Sequence, residues 1–168
     1  MFYILNNIRQ VNFGQLMDVY SEANRERASD AYAHMERGQG ILEAEQEFYA
    51  FLREFFRLPG AYLALWAPDG VYKAALRIEP YEDGVLIEGV ETAPDSRRQG
   101  HGAKLLQETV KYLKNEKAEK IYSHIARDNI ASVRLHRSCG FEKLLDHAVY
   151  VDGSVNRRAD TYVYVIKK

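Results

Sequence analysis

Two arginines, two glycines and a histidine crowd into APDSRRQGHGAKLL, residues Ala93 to Leu106, just ahead of an apolar helical pattern. A turn whose backbone N–H groups point outward, feeding a helix N-terminus beside fixed positive charge, is suited to binding phosphate. Arg97 and Arg98 supply the charge, while Gly100 and Gly102 permit close approach of a ligand or a positive φ. Two phosphate-binding schemes fail on residue type. A nucleotide-triphosphatase loop ends in Gly-Lys-Ser/Thr, whereas Gly102 is followed by Ala103 and Lys104. A dinucleotide fingerprint needs a third glycine, where Leu105 stands.

Such a turn has to be delivered by a strand and continued by a helix. VLIEGVET, residues 85–92, reads as the strand, and Leu106, Val110 and Leu113 give the helix one apolar side. IYSHIA follows as a strand, so this strand, helix and strand unit requires a parallel crossover. Upstream, Phe2 to Ile8 reads as a strand. A helical pattern runs from about Asn12 to Gly38–Gly40, broken once, and a second helix carries Phe48, Phe51, Leu52 and Phe55 up to Leu58-Pro59-Gly60. AYLALWAPDGVYKAALRIEP forms a hairpin about Pro68-Asp69-Gly70, and Tyr81 to Gly84 turns the chain again. After a short helix from Asn129 to Cys139 come the strand-like runs HAVYV and TYVYVI, with Asp152 to Arg158 between them as a loop. The expected fold is one mixed α/β domain over residues 1–168.

The balance of 23 basic and 24 acidic residues argues against nucleic acid or an anionic membrane as a bulk partner, so any basic function is local. Charges interrupt every apolar run before the roughly 18 residues of a membrane span. The single cysteine, Cys139, cannot form an internal disulfide and no secretory leader is recognisable, which points to the cytoplasm.

Arg97-Arg98-Gln99-Gly100-His101-Gly102 matches the pattern Arg/Gln-x-x-Gly-x-Gly/Ala, and NIASVRLHRSCGF matches Asn-x-x-Ala/Ser-x-x-Leu-Tyr/His-x-x-x-Gly-Phe at the right separation. With both motifs, the chain resembles the GNAT superfamily of acetyl-CoA-dependent N-acetyltransferases from Val85 to Phe141. The resemblance implies a central, mostly antiparallel sheet with one parallel crossover, and acetyl-CoA as the cofactor, bound by Arg97 and with its pyrophosphate on the amides of Arg98, Gln99, Gly100, His101, Gly102 and Ala103. It also implies that the strands either side of the helix splay, aided by a bulge at Gly89, and that the pantetheine arm bonds the backbone at Val90, Glu91 and Thr92 as a false strand. Asn129, Ser132 and His136 recur at i, i+3 and i+7, one face of a helix. By resemblance Asn129 and Ser132 belong to the cofactor, while His136 stands near the sulfur where many relatives carry tyrosine.

Acetylation of an amine needs a neutral amine, a donor to the oxyanion and a proton for the departing thiolate. By resemblance the oxyanion falls to the backbone N–H of Val90 or Thr92, and His136 is the candidate acid, against a purely structural role. The family fixes no base, which leaves His124, Glu88 and Glu91. On a regular strand the two glutamates face opposite ways, and the bulge would bring them together. The Phe48, Phe51 and Phe55 stripe reads as core, Cys139 as packing, and Tyr32 and Tyr49 as candidate pocket residues. The expected acceptor is a primary amine on a small molecule or a protein, transfer is direct and metal-free, and a homodimer is compatible with the family. The competing expectation is a non-catalytic acyl-CoA-binding or sensing module.

Overall fold

A computed structural model describes residues 1–166. Its strands are β1 (Phe2–Leu5), β2 (Tyr62–Trp66), β3 (Ala74–Tyr81), β4 (Gly84–Thr92), β5 (Lys120–Ala126), β6 (Glu142–Leu145), β7 (Ala148–Val149), β8 (Val155–Asn156) and β9 (Ala159–Val165). Its helices are α1 (Phe13–Val19), α2 (Ser21–Ala31), α3 (Arg37–Phe55), α4 (His101–Asn115) and α5 (Ile130–Ser138). Seven strands form one sheet in the order β1-β2-β3-β4-β5-β9-β6, while β7 and β8 make a separate small ribbon. Within the large sheet only β4 and β5 run parallel.

Both faces of the sheet are covered. Ala64, Leu76, Ile78, Ile87 and Ile121 pack beneath Leu105, Leu106 and Leu113 of α4. On the opposite face Leu63, Leu65 and Ala75 meet Leu16, Val19, Leu52 and Phe55 of α1 and α3. A central strand such as β2 is therefore apolar at successive positions, since neither face reaches water.

Several boundaries differ from the sequence expectation. β1 stops at Leu5, and Ile8–Gln10 form a 3-10 turn. The first long helix is two, meeting at Tyr20, and the connection before α3 is YAHME, residues 32–36, so Gly38 and Gly40 lie inside α3's first turn instead of ending a helix. The run after Phe141 contains β6, which is exposed at every position and has no alternation to betray it. Part of the expected loop 152–158 pairs as β8 with β7. Finally β9 inserts between β5 and β6, an order no local pattern announces.

The decisive local feature lies in β4. Ala75 pairs with Glu91 but Arg77 with Glu88, so β4 carries one more residue than β3 between those positions, and Gly89 there has φ +56°. This is the bulge expected at Gly89. It restores Glu91 to the sheet face that Glu88 occupies, because one extra residue reverses the two-residue alternation.

Candidate active site

β4 and β5 are in register at only three positions, Val85 with Ile121, Leu86 with Tyr122 and Ile87 with Ser123. Beyond Ile87 the strands part. Each keeps its outer neighbour, β3 and β9 respectively, so the edge of β4 from Glu88 to Thr92 faces an opening. A cleft of about 730 Å³ lies there.

Its floor is the turn into α4. Arg98 (φ +59°) and Gly100 (φ +82°) both sit in the left-handed region and bend the chain into α4, whose first N–H groups lack intrahelical partners and whose first residues, His101, Gly102 and Ala103, line the cleft. The two motif glycines have different duties. A Cβ on Gly100 would meet nothing within 4 Å, so that position is glycine for its φ and leaves free space above the turn. A Cβ on Gly102 would lie 2.9 Å from Thr92 Oγ1, so there glycine lets α4 close against β4. The open turn, its N–H groups and the adjacent cation fit a phosphate-bearing ligand.

Arg98 makes no ion pair among the described residues and is exposed at the cleft. Arg97 lines the cleft as well, with its guanidinium engaged. It pairs with Glu22 of α2, lies 3.8 Å from Glu91 and approaches the Thr92 carbonyl at 3.4 Å. Its guanidinium holds the Glu22 carboxyl below the usual range. Gln99 donates to the Asp95 carbonyl and does not line the cleft. His101, Ala103, Val90 and Thr92 do line it.

The opposite wall is α5. Asn129 caps it, its side chain accepting from Ser132 N at 3.0 Å, and both residues line the cleft. Arg134, further along α5, adds a further exposed cation that the motif pattern leaves unmarked. Glu22, Ala23 and Glu26 of α2 complete the rim. Their spacing along a helix reads only as a solvated face, so they are invisible to sequence.

His136 is not in the cleft. It is buried, its ring edge-on to Phe141, and both nitrogens are engaged. Nδ1 lies 2.8 Å from the Ser132 carbonyl, which can only accept, so Nδ1 carries the proton and Nε2 accepts from Ser123 Oγ at 3.1 Å. Burial lowers its pKa, with the Ser132 carbonyl offsetting part of the effect. The ring is therefore neutral near pH 7 and ties α5 to Ser123, the last β5 residue in register with β4. The expectation that His136 faces the cleft beside the cofactor sulfur is thus corrected: the ring is buried and does not line it.

Three candidate bases are separated by their surroundings. His124 is half-buried beside the rings of Tyr81 and Tyr150, with Nδ1 3.2 Å from Thr161 Oγ1, and lines neither this cleft nor its neighbour. Burial lowers its pKa, opposed by the Val149 carbonyl and the charge of Glu88. Glu88 sits 3.7 Å from Arg77 in an ion pair. Glu91 lines both the cleft and an adjoining cavity of about 370 Å³ between α2 and α3. Burial raises its pKa, with the Arg97 charge pulling the other way. Of the aromatic candidates, Tyr32 and Tyr49 line neither space, Tyr49 packing edge-on to Phe13. The tyrosine in the adjoining cavity is Tyr20, whose hydroxyl donates to the Gly89 carbonyl at 2.6 Å. Cys139 is partly buried and burial raises its thiol pKa, in keeping with packing.

The acetyltransferase (GNAT) family model matches residues 16–141. The chain belongs to the GNAT acetyltransferase family. Its fold is shared by the PaiA N-acetyltransferase of Thermoplasma acidophilum solved with coenzyme A, at 14% identity, TM-score 0.67 and 99% coverage of both chains. The ribosomal-protein-alanine N-acetyltransferase of Brucella melitensis gives 17% identity, TM-score 0.65 and the same coverage. The ribosomal-protein-S18-alanine N-acetyltransferase of Escherichia coli gives 18%, 0.63, and 100% and 96%. No curated protein sequence matches the chain. This GNAT protein thus transfers acetyl groups with acetyl-CoA as co-substrate. Among its described residues no helix is long and apolar enough to cross a membrane.

Proposed function

We propose that this GNAT protein acetylates a primary amine directly, and that Glu91 takes the proton the amine must lose. The observation that carries this reading is the place of Glu91 at the seam of two spaces, one floored by the phosphate-binding turn and the other walled by α2 and α3. An amine entering from the second space meets the carboxylate where the β4 edge opens. The desolvation that raises its pKa also makes it a stronger base than an ordinary surface glutamate.

The remaining roles follow from position. Arg98, with the N–H groups of Gly100, His101, Gly102 and Ala103, holds the pyrophosphate, and Arg134 supplies a further cation to the phosphates. The free backbone edge of Val90 to Thr92 aligns the pantetheine arm and offers an N–H to the acetyl oxygen. Asn129 and Ser132 border the arm from α5. Arg97 connects the cofactor turn to Glu22 and steadies Glu91. His136 is assigned a positioning role through Ser123 and Ser132 in place of the acid role, and the departing thiolate takes its proton from solvent at the open cleft.

The test is amine-dependent release of free thiol from acetyl-CoA across a panel of primary amines, with the product analysed by mass spectrometry. Thiol release that rises with amine and yields an alkali-stable amide supports the reading. Acetyl-CoA binding without amine-dependent turnover, or an ester product, contradicts it.

A further inference from the structure

The cavity beside Glu91 has a composition that bears on the acceptor, given the amine-acetylating reading above. Its walls are mostly carbon: Ala23 and Tyr20 from the α1–α2 side, Ala44, Phe48 and Phe51 from α3. The sequence pattern places Phe51 in the core, yet the structure leaves it 45% exposed, in a stack with Phe48 at 6.1 Å and the buried Phe55 at 5.9 Å between ring centroids. An aromatic side chain left open at the wall of a cavity that adjoins a reaction centre has apolar surface available for a ligand.

Most of the polar groups around it already have partners. Tyr20 donates to Gly89, the Asn24 amide contacts Met17 Sδ at 3.3 Å, and Arg27 and Glu47 bind each other through two hydrogen bonds. Arg77 lays its guanidinium 5.0 Å from the Phe51 centroid and pairs with Glu88, while its Nε has no hydrogen-bond partner among the described residues but is shut off from solvent and so from a ligand. A peptide backbone would find few free partners here. Two arginines against two glutamates give no excess of negative charge for a polyamine. Of the two glutamates, Glu91 is the one that also borders the cleft, and so the one placed to meet an amine.

We infer that the acceptor is a single primary amine on an uncharged apolar body, of arylalkyl type, whose ring lies on Phe48 and Phe51 between α2 and α3 with its nitrogen at Glu91. Ala23, which borders both spaces, marks the short path from ring site to acetyl site.

The experiment compares kcat/KM at saturating acetyl-CoA for 2-phenylethylamine, ethylamine, phenylalanine, spermidine and a short alanine-initiated peptide, in the wild type and in Phe51→Ala. The ring is partly exposed, and the melting temperature checks that the variant folds. The expected result is a preference of roughly tenfold or more for 2-phenylethylamine over ethylamine, expressed in KM, which collapses toward unity in Phe51→Ala. Spermidine, phenylalanine or the peptide as the best acceptor, or a preference that Phe51→Ala leaves intact, overturns the inference while leaving amine acetylation standing. Failure of every amine to yield an amide despite acetyl-CoA binding overturns the amine reading itself.

Discussion

The two spaces on either side of Glu91 are built from different materials. The cleft over α4 is made largely of backbone: a left-handed turn, helix N–H groups and the open edge of β4. The adjoining cavity is made of side chains from α2, α3, β3 and β4 and of Tyr20 at the α1–α2 junction, brought together only by the fold. A backbone site restricts residue type sharply where a side chain would intrude or φ must be positive, and so leaves glycines at fixed spacing. A side-chain site leaves helical periodicity that any packed core would also show. The turn under the cleft is consequently legible in RRQGHGA, and the adjoining cavity is not.

The same contrast can be strained by substitution, beginning with the largest effect. Arg98→Ala combined with Gly100→Asp puts a carboxylate where phosphate is expected and removes the free cation. Affinity for acetyl-CoA by calorimetry should fall on the order of a hundredfold or more, by loss of charge-assisted bonds and repulsion at the helix N-terminus. An unchanged affinity would break the assignment of that turn. Next, Gly102→Val drives a branched side chain against Thr92 Oγ1, so α4 must shift from β4. Thermal unfolding should show a loss of about 1–3 kcal/mol, typical of overpacking. Gly100→Ala meets no neighbour and should lose only about 1 kcal/mol, the cost of a left-handed non-glycine residue. Equal losses at the two glycines would show that their duties are not distinct.

His136→Phe sharpens the comparison from the α5 side. It leaves Ser123 Oγ buried without its partner, so stability should drop by about 1–3 kcal/mol, with small and similar changes in turnover and acetyl-CoA affinity. A selective collapse of turnover would return His136 to the role of acid. The histidine also shows why half of the site is illegible in the sequence. Its i, i+3, i+7 spacing with Asn129 and Ser132 is correct for one helical face, but α5 is set so that Asn129 and Ser132 open on the cleft while His136 is buried in the core. A nine-residue helix carries too little pattern to fix that setting. The ion pair of Arg97 escapes the sequence for a related reason, because its partner Glu22 is distant along the chain. By contrast the bulge at Gly89 is readable, since a glycine weakens the middle of an otherwise apolar strand unless the backbone there must leave the regular pleat. The position of β9 between β5 and β6 is not, as neither strand's composition names its neighbour.

Glu91, returned by the bulge to the sheet face of Glu88, is the proposed base. This role is tested by the pH dependence of kcat/KM with a productive amine, in the wild type and in Glu91→Gln, Glu88→Gln and His124→Gln. Because burial raises the Glu91 pKa and the charged form is the active one, wild-type activity should be lost as pH falls through that raised value, above the ordinary carboxylate range. Glu91→Gln should lose about 10²–10⁴-fold in rate together with that limb of the profile, with acetyl-CoA affinity held. The other two variants should keep the limb; a Glu91→Gln enzyme with wild-type rate and profile would contradict the account.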